Sequence, residues 1–300
     1  MQSFLSYHAH YILRGLGLAA IIFILSFARP YAQTSLPSVV SLNVCADPYL
    51  MSFAAAKQIL ALAPQSLDPS LSPFSDSAAQ FPSSNGGIED LMLLQPDLVI
   101  LSPYTSANKR NLIEATGIPT ITIDAANRYT DARDDILILG EAIGRAPQAQ
   151  QYLRELDRSL KNARQVKLKQ VSLLALQRRG MTVGKGHVLD DIMQLSGAIN
   201  LGRQGNMAMS QLGLEAILEK QPDFILLSGI AHAARDRGSE ILVHPSLRKQ
   251  FSNKKIITLD AALTLCAGAS TPRAVSQLRQ AIADKTNLIE HHPTPDHVQP

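Results

Sequence analysis

From residue 38 onward, short apolar runs alternate with longer segments whose apolar residues recur every three or four positions. The short runs are rich in Val, Ile and Leu, which is typical of buried strands, and the longer segments have the spacing of helices with one buried face. Alternation of this kind predicts parallel strands in an α/β fold. The predicted strands lie at 38–44, 59–64, 97–102, 118–124, 169–177, 223–228 and 254–260.

The predicted helices fill the intervals between these strands. The first covers 47–60, with Asp47 as its expected N-cap and Pro48 in its first turn. Residues 64–85 are rich in Pro and Ser and predict a loop with at most a short helix. The remaining predicted helices lie at 88–96, 105–117, 187–202, 214–222, 244–251 and 271–284.

The alternation is interrupted at 130–166, where two helical patterns follow each other without a strand between them. This interruption divides the chain into an N-terminal lobe at 38–129, a helical connector at 130–166 and a C-terminal lobe at 167–290. We therefore expect an α/β protein with two similar lobes, each with a central, mostly parallel sheet. A long helix joins the lobes, and a ligand cleft lies between them.

A repeated phrase supports the similarity of the lobes. QPDLVILS at 95–102 returns as QPDFILLS at 221–228, and aligning 88–102 with 214–228 pairs Glu89 with Glu215. The helix–Pro–Asp–strand junction is common in α/β proteins and explains part of the match. It does not require the glutamate near the start of each helix.

The two ends of the chain differ in composition from the rest. Arg14 is followed by the apolar run GLGLAAIIFILSFA, which is shorter than a membrane span and predicts a signal peptide at 1–32 and export. Cleavage after Ala28 or Ala32 fits this segment, and an uncleaved membrane anchor is the alternative. The tail at 291–300 is polar and rich in Pro, which favours disorder.

Composition and motifs narrow the classes of function. The formal net charge is +3 and no basic block occurs, so we expect no nucleic-acid partner. The sequence GMTVGKGH lacks the spacing of a phosphate-binding P-loop, and neither a G-x-S-x-G nor an H-E-x-x-H motif is present. A binding protein is therefore favoured. The alternatives are an exported α/β enzyme and a ligand-binding or sensor module that works without a permease.

The motifs, in their order and spacing, resemble the periplasmic solute-binding proteins of ABC importers that have a rigid helical connector and carry cobalamin, iron–siderophores or haem. The similarity spans about 38–290 and rests on SLNVCADPYL, IEDLMLLQPDLVILS, VLDDIMQLSGAINLG, LEAILEKQPDFILLS and TPRAVSQLRQAI. It implies a monomeric periplasmic protein with no catalytic activity and no cofactor of its own. It also implies that Glu89 and Glu215 dock on arginines of a permease dimer in the inner membrane.

Ligands of two-lobed α/β proteins bind beyond the carboxyl ends of the strands. Tyr104 can stack on a flat ligand there, and the arginines can meet carboxylates. The chain has no Trp and only 5% aromatic residues, which disfavours cobalamin, whereas the arginines leave room for anionic ferric chelates. The candidate cleft residues are Asn43, Cys45, Asp47 and Tyr104 in the first lobe and Arg178, Arg179, Arg203 and Cys266 in the second.

The two cysteines, Cys45 and Cys266, are open to three interpretations. They form a bridge between the lobes, which needs Cα atoms within about 7 Å, or they are soft ligands to a metal or corrinoid centre, or they are unrelated small residues. The histidines His187, His232 and His244 do not have the spacing of a metal site, so we expect no resident metal.

Overall fold

The computed structural model of the protein describes residues 35–165, 167–228 and 240–291. The predicted signal peptide at 1–32 and nearly all of the predicted tail lie outside these ranges. Of the helices within them, none has both the length and the apolar character needed to cross a membrane.

The N-terminal lobe is built on a parallel four-stranded sheet with the order β2-β1-β3-β4. The two central strands are completely buried, which explains why their sequences are continuous apolar runs. The strands are β1 (Val39–Ser41), β2 (Ile59–Ala61), β3 (Leu98–Leu101) and β4 (Thr120–Thr122). Its helices are α1 (Asp47–Phe53), α2 (Ser75–Ala78), α3 (Ile88–Leu94) and α4 (Ala107–Glu114).

Two helices, α5 (Tyr129–Ala142) and α6 (Ala146–Ala163), occupy the region predicted to connect the lobes. Gly140 lets them pack closely, because a Cβ at this position would lie 2.3 Å from the Cβ of Ala149. Pro147 lies in the first turn of α6, where its missing N–H breaks no helical hydrogen bond.

The C-terminal lobe has a parallel sheet with the order β10-β9-β5-β7 and a separate antiparallel pair, β6 with β8. Its strands are β5 (Ser172–Leu176), β6 (Met181–Val183), β7 (Ile199–Asn200), β8 (Met209–Gln211), β9 (Phe224–Ser228) and β10 (Ile256–Leu259). Its helices are α7 (Val188–Leu195), α8 (Leu214–Glu219), α9 (Pro245–Gln250) and α10 (Thr271–His291).

The two parallel sheets have the same topology, and the predicted two-lobed α/β fold is confirmed. Written in reverse, the second order is β7-β5-β9-β10, which matches β2-β1-β3-β4 strand for strand. The repeated phrase begins with a left-handed residue in both lobes, since Gln95 (φ 46°) and Gln221 (φ 44°) both have this conformation just after their helices.

An Asp–Ser contact also recurs at the start of each sheet. The Asp97 carboxylate accepts hydrogen bonds from the backbone N–H and the hydroxyl of Ser38, at 2.8 and 2.7 Å. The Asp223 carboxylate accepts the same pair from Ser172, at 2.7 and 2.8 Å. The Asp of each Gln-Pro-Asp therefore joins the two central strands of its own lobe.

Five details differ from the sequence prediction. The first helix ends at Phe53, and its N-cap is Ala46, because Asp47 turns its carboxylate into the lobe. The helix predicted at 187–202 ends at Leu195, and the chain then forms the short strand β7. The pair β6–β8 was not predicted, and the last helix continues to His291.

A single apolar cluster extends from the first sheet through the connector into the second lobe. Tyr152 of α6 packs on Phe53 and Tyr49 of α1, with ring centroids 5.8 and 6.4 Å apart. The same helix contacts α10 of the second lobe. The connector is therefore part of the core of both lobes.

Candidate functional site

The carboxyl-terminal edges of the two sheets meet at a disulfide bond between Cys45 and Cys266. Cys45 lies in the loop after β1, and Cys266 lies in the segment after β10. Their Cα atoms are 5.7 Å apart although 221 positions separate them in sequence. The bridge between the lobes is thus the correct one of the three interpretations. A bonded sulfur is not a thiolate, so the cysteines do not form a soft metal site in this state.

A pocket of about 460 Å³ lies at the cleft edge of the first sheet. It is lined by residues that follow β1, β2 and β3, as expected for the carboxyl ends of parallel strands. The lining residues are Leu42, Val44, Pro64, Gln65, Ser84, Asn85, Ser102, Tyr104, Thr105, Ser106 and Lys109.

Tyr104 is the one predicted cleft residue that lines this pocket, and it is 82% exposed. Lys109, near the start of α4, gives the pocket lining a positive charge, and its ammonium group donates a hydrogen bond to the backbone carbonyl of Asn85. Lys109 was not among the cleft residues predicted from the sequence. Its position just inside the helix that follows β3 is the signal that indicates it.

Asn43 does not present its side chain to the cleft, contrary to the prediction. It is 1% exposed, and its amide donates to the carbonyls of Leu101 (3.2 Å) and Ile123 (2.7 Å). Its side-chain oxygen accepts from the N–H of Cys45 at 2.9 Å. Asn43 therefore joins the ends of neighbouring strands and positions Cys45 for the disulfide bond.

Asp47 is also buried rather than available to a ligand. One carboxylate oxygen accepts from the N–H of Ala63 (2.9 Å) and the hydroxyl of Ser66 (2.5 Å), so the residue fixes the loop after β2. The other oxygen, Oδ1, makes no hydrogen bond with the described residues. Burial raises the pKa of Asp47 to about 7, and the hydrogen-bond donors around the carboxyl only partly oppose it.

Arg203 is engaged by the protein itself. Its guanidinium donates two hydrogen bonds of 2.8 Å to the carboxylate of Asp190, which is 2% exposed. Asp190 also accepts from the side-chain amide of Asn200 at 2.8 Å. The positive charge of Arg203 thus compensates the buried negative charge of Asp190, so its guanidinium group is engaged within the protein.

Arg178 and Arg179 lie at the cleft edge of the second sheet, directly after β5. Both are exposed, and the left-handed backbone of Arg179 (φ 60°) turns the chain from β5 into β6. The side chain of Gln211 donates to the carbonyl of Arg179 at 2.9 Å and holds this turn in place.

Glu89 and Glu215 occupy equivalent places. Each lies in the first turn of its helix, α3 or α8, after the glycine that caps the helix, and each side chain is exposed. Among the described residues, no hydrogen bond or ion pair engages either carboxylate. Within 35–165, 167–228 and 240–291, no group of three or more His, Cys, Asp or Glu side chains is arranged to hold a metal ion.

The chain matches the family model described as periplasmic binding protein over residues 69–263. No curated protein sequence matches it significantly. Among solved structures, the apo form of the periplasmic haem-binding protein RhuT from Roseiflexus sp. RS-1 is 19% identical, with a TM-score of 0.65, and the match covers 84% of this chain and 99% of that one.

Two other structures share the fold. The periplasmic vitamin B12-binding protein BtuF of Vibrio cholerae is 18% identical, with a TM-score of 0.62 and coverage of 84% of this chain and 98% of its own. A possible iron-binding periplasmic solute-binding protein from Staphylococcus epidermidis ATCC 12228 is 15% identical, with a TM-score of 0.69 and coverage of 83% and 99%. The family model spans more than half of the chain, and the chain therefore belongs to the periplasmic binding protein family.

Proposed function

We propose that this protein is the substrate-binding component of an ABC importer. It captures a metal chelate, such as an iron–siderophore, haem or a cobalamin-like compound, in the periplasm and delivers it to a permease dimer in the inner membrane. It reaches the periplasm by means of the signal peptide predicted at 1–32, acts as a monomer and catalyses no reaction.

The observation that carries this proposal is the matched pair of exposed carboxylates. Glu89 and Glu215 lie at the same position of equivalent helices in two lobes of the same topology. The lobes share one core through the connector and are joined by the Cys45–Cys266 bond, so in the oxidised protein the two carboxylates stand on a rigid frame. A partner with two similar subunits can meet such a pair through charge-assisted hydrogen bonds from arginines. A helix dipole favours a glutamate in a first turn but does not require the match between lobes.

The chemistry of the cleft supports an anionic chelate. Of the described residues that line the 460 Å³ pocket, none has a carboxylate, whereas Lys109 is cationic and six others have serine, threonine or amide side chains. Arg178 and Arg179 add positive charge at the facing edge of the second lobe. Tyr104 and the apolar residues at 42, 44 and 64 offer a surface for a flat or apolar ligand face.

Docking is tested with the double variant Glu89→Ala/Glu215→Ala. Each lost charge-assisted hydrogen bond costs about 1.5–3 kcal/mol, so import of the chelate should fall by roughly tenfold or more per carboxylate. Chelate affinity should be unchanged, since both side chains lie outside the cleft pocket. The matched control is Glu114→Ala/Glu155→Ala, which removes two other exposed carboxylates. Unaltered import in the first variant, or equal loss in the control, contradicts docking through this pair.

Ligand class is tested with the wild-type protein. Hemin, cyanocobalamin and ferric hydroxamate are coloured, so binding is followed by absorbance as well as by the shift in melting temperature. We expect a ferric chelate to bind and to lose affinity when Lys109 is replaced by Ala. If no chelate binds, the proposed substrate class is wrong.

A further inference from the structure

A segment of the second lobe is fastened to the first lobe separately from the connector. Residues 261–270, which we call the strap, lie between β10 and α10. Within the strap, the N–H of Ala267 donates to the carbonyl of Ala126 at 2.9 Å, and the hydroxyl of Tyr49 donates to the carbonyl of Ala267 at 3.2 Å. The disulfide bond between Cys45 and Cys266 lies directly beside these contacts.

Shape as well as hydrogen bonding fits the strap to the first lobe and to helix α5 of the connector. Gly268 has φ +112°, and a Cβ built on it would lie 2.0 Å from the hydroxyl oxygen of Tyr49. It would also lie 3.1 Å from the Cβ of Ala132 in α5. The strap backbone therefore rests directly on α1 and α5, and only glycine allows this approach.

The strap is equally well held on its own lobe. Its first turn is capped by Asp260, whose carboxylate accepts from the N–H of Ala262 at 3.1 Å. The hydroxyls of Thr264 and Ser228 are 2.8 Å apart, which ties the strap to the end of β9. Ser270 donates to the carbonyl of Cys266 at 3.0 Å. A segment anchored on both sides transmits any displacement of one lobe to the other.

The position of the disulfide bond gives the strap a function at the cleft. Cys45 follows Leu42 and Val44, which line the pocket of the first lobe. The side-chain oxygen of Asn43 accepts a hydrogen bond from the N–H of Cys45, and this contact fixes the pocket wall that Leu42 and Val44 form. The hydrogen bonds of Tyr49 and Ala267 can break and re-form, whereas the covalent bond holds the two cleft edges at one separation as long as it is oxidised.

We propose that the strap is an inter-lobe latch, in which the oxidised Cys45–Cys266 pair fixes the width of the cleft and its reduction lets the lobes move about the connector. A dithiol supplies two electrons and two protons in this step. The S–S bond breaks, both cysteines become thiols, and the dithiol leaves as its own disulfide. The effect on a bound ligand rests on the proposed function, whereas the motion of the lobes does not.

Lobe motion is measured without any ligand. Spin labels are attached through thioether links to the exposed positions of Glu114→Cys in α4 and Lys249→Cys in α9, one on each lobe. Pulsed dipolar spectroscopy then gives the distribution of distances between the labels. We expect a narrow distribution in the oxidised protein and a broader, shifted one after treatment with dithiothreitol. Cys45→Ser/Cys266→Ser should give the broad distribution with or without the reductant, which is the matched control.

Superimposable distributions in the oxidised, reduced and double-serine proteins overturn the latch. Because reduction acts on wild-type protein that has already folded, a folding defect of the double variant does not hide this result. With hemin as a probe, we expect faster release from the reduced protein. If reduction broadens the distance distribution but hemin leaves the oxidised and reduced proteins at the same rate, cleft width does not control ligand retention. If hemin does not bind at all, the proposal of a haem-like ligand is wrong. The distance measurement still tests whether the strap is an inter-lobe latch.

Discussion

Asp47 makes the stability of this protein depend on pH in the direction opposite to that of most paired carboxylates. Burial raises its pKa from 3.8 to about 7, so the folded state holds the proton more tightly than the unfolded state. The contribution of Asp47 to stability is therefore fully present below about pH 4, falls as the pH rises towards 7, and is lost above that. At 1.36 kcal/mol per pKa unit, the three-unit shift corresponds to roughly 4 kcal/mol.

The variant Asp47→Asn isolates this contribution. Its side-chain oxygen can still accept from Ala63 and Ser66, and its amide has no charge to desolvate. We expect the variant to match the wild type near pH 4 and to exceed it by up to roughly 4 kcal/mol at pH 8. Urea unfolding followed by circular dichroism from pH 4 to pH 9 measures both proteins.

The equivalent change in the second lobe is the control. Asp190→Asn removes the partner of Arg203 and should cost roughly 1.5–3 kcal/mol at pH 8 instead of adding stability. Burial also raises the pKa of Asp135, to about 6, so the free energy of unfolding keeps a smaller dependence on pH in the wild type and in both variants. If Asp47→Asn and the wild type have parallel pH profiles, Asp47 does not titrate between pH 4 and pH 7, and the inference from its burial is wrong.

Two further predictions concern the strap. Replacing Cys45 and Cys266 by Ser opens a loop with a sequence separation of 221, and the chain-entropy relation predicts that the free energy of unfolding falls by about 5 kcal/mol. Urea unfolding of the oxidised wild type and the double variant measures this loss. A loss below about 1 kcal/mol contradicts the relation for this protein. Gly268→Ala puts a methyl group against Tyr49, and such overpacking should cost about 1–3 kcal/mol in the same assay. Equal stability would show that the strap lifts from α1 without penalty.

The alternation of strands and helices was predictable because it depends on local patterns. Buried parallel strands need continuous apolar runs, and the repeat at 95–102 and 221–228 indicates two equivalent lobes from the sequence alone. The pair β6–β8 escaped prediction because its strands are three residues each and are stabilised by each other across the chain, not by an apolar run.

The site was less predictable because burial is decided by tertiary packing. Asn43 and Asp47 are polar residues in a loop at the correct edge of the sheet, yet the strands around them enclose both side chains. The partner of Arg203 lies 13 positions away, and the rest of α7, strand β7 and the turn after it bring the two side chains together. The disulfide bond joins residues 221 apart, so its formation depends on how the whole lobes meet, which no local pattern reveals.

The shared core has a consequence for chimeric proteins. Because the two lobes have the same topology, exchanging one lobe between members of the family is an obvious design for a chimera. However, α6 packs its aromatic side chain Tyr152 on the first lobe and contacts α10 of the second. A graft with its junction at either end of α6 therefore separates surfaces that were matched to each other. An exchangeable unit has to carry the connector, the closing helix and the facing side of α1 together, so recombination should succeed in surface loops and fail at the apparent boundary between the lobes.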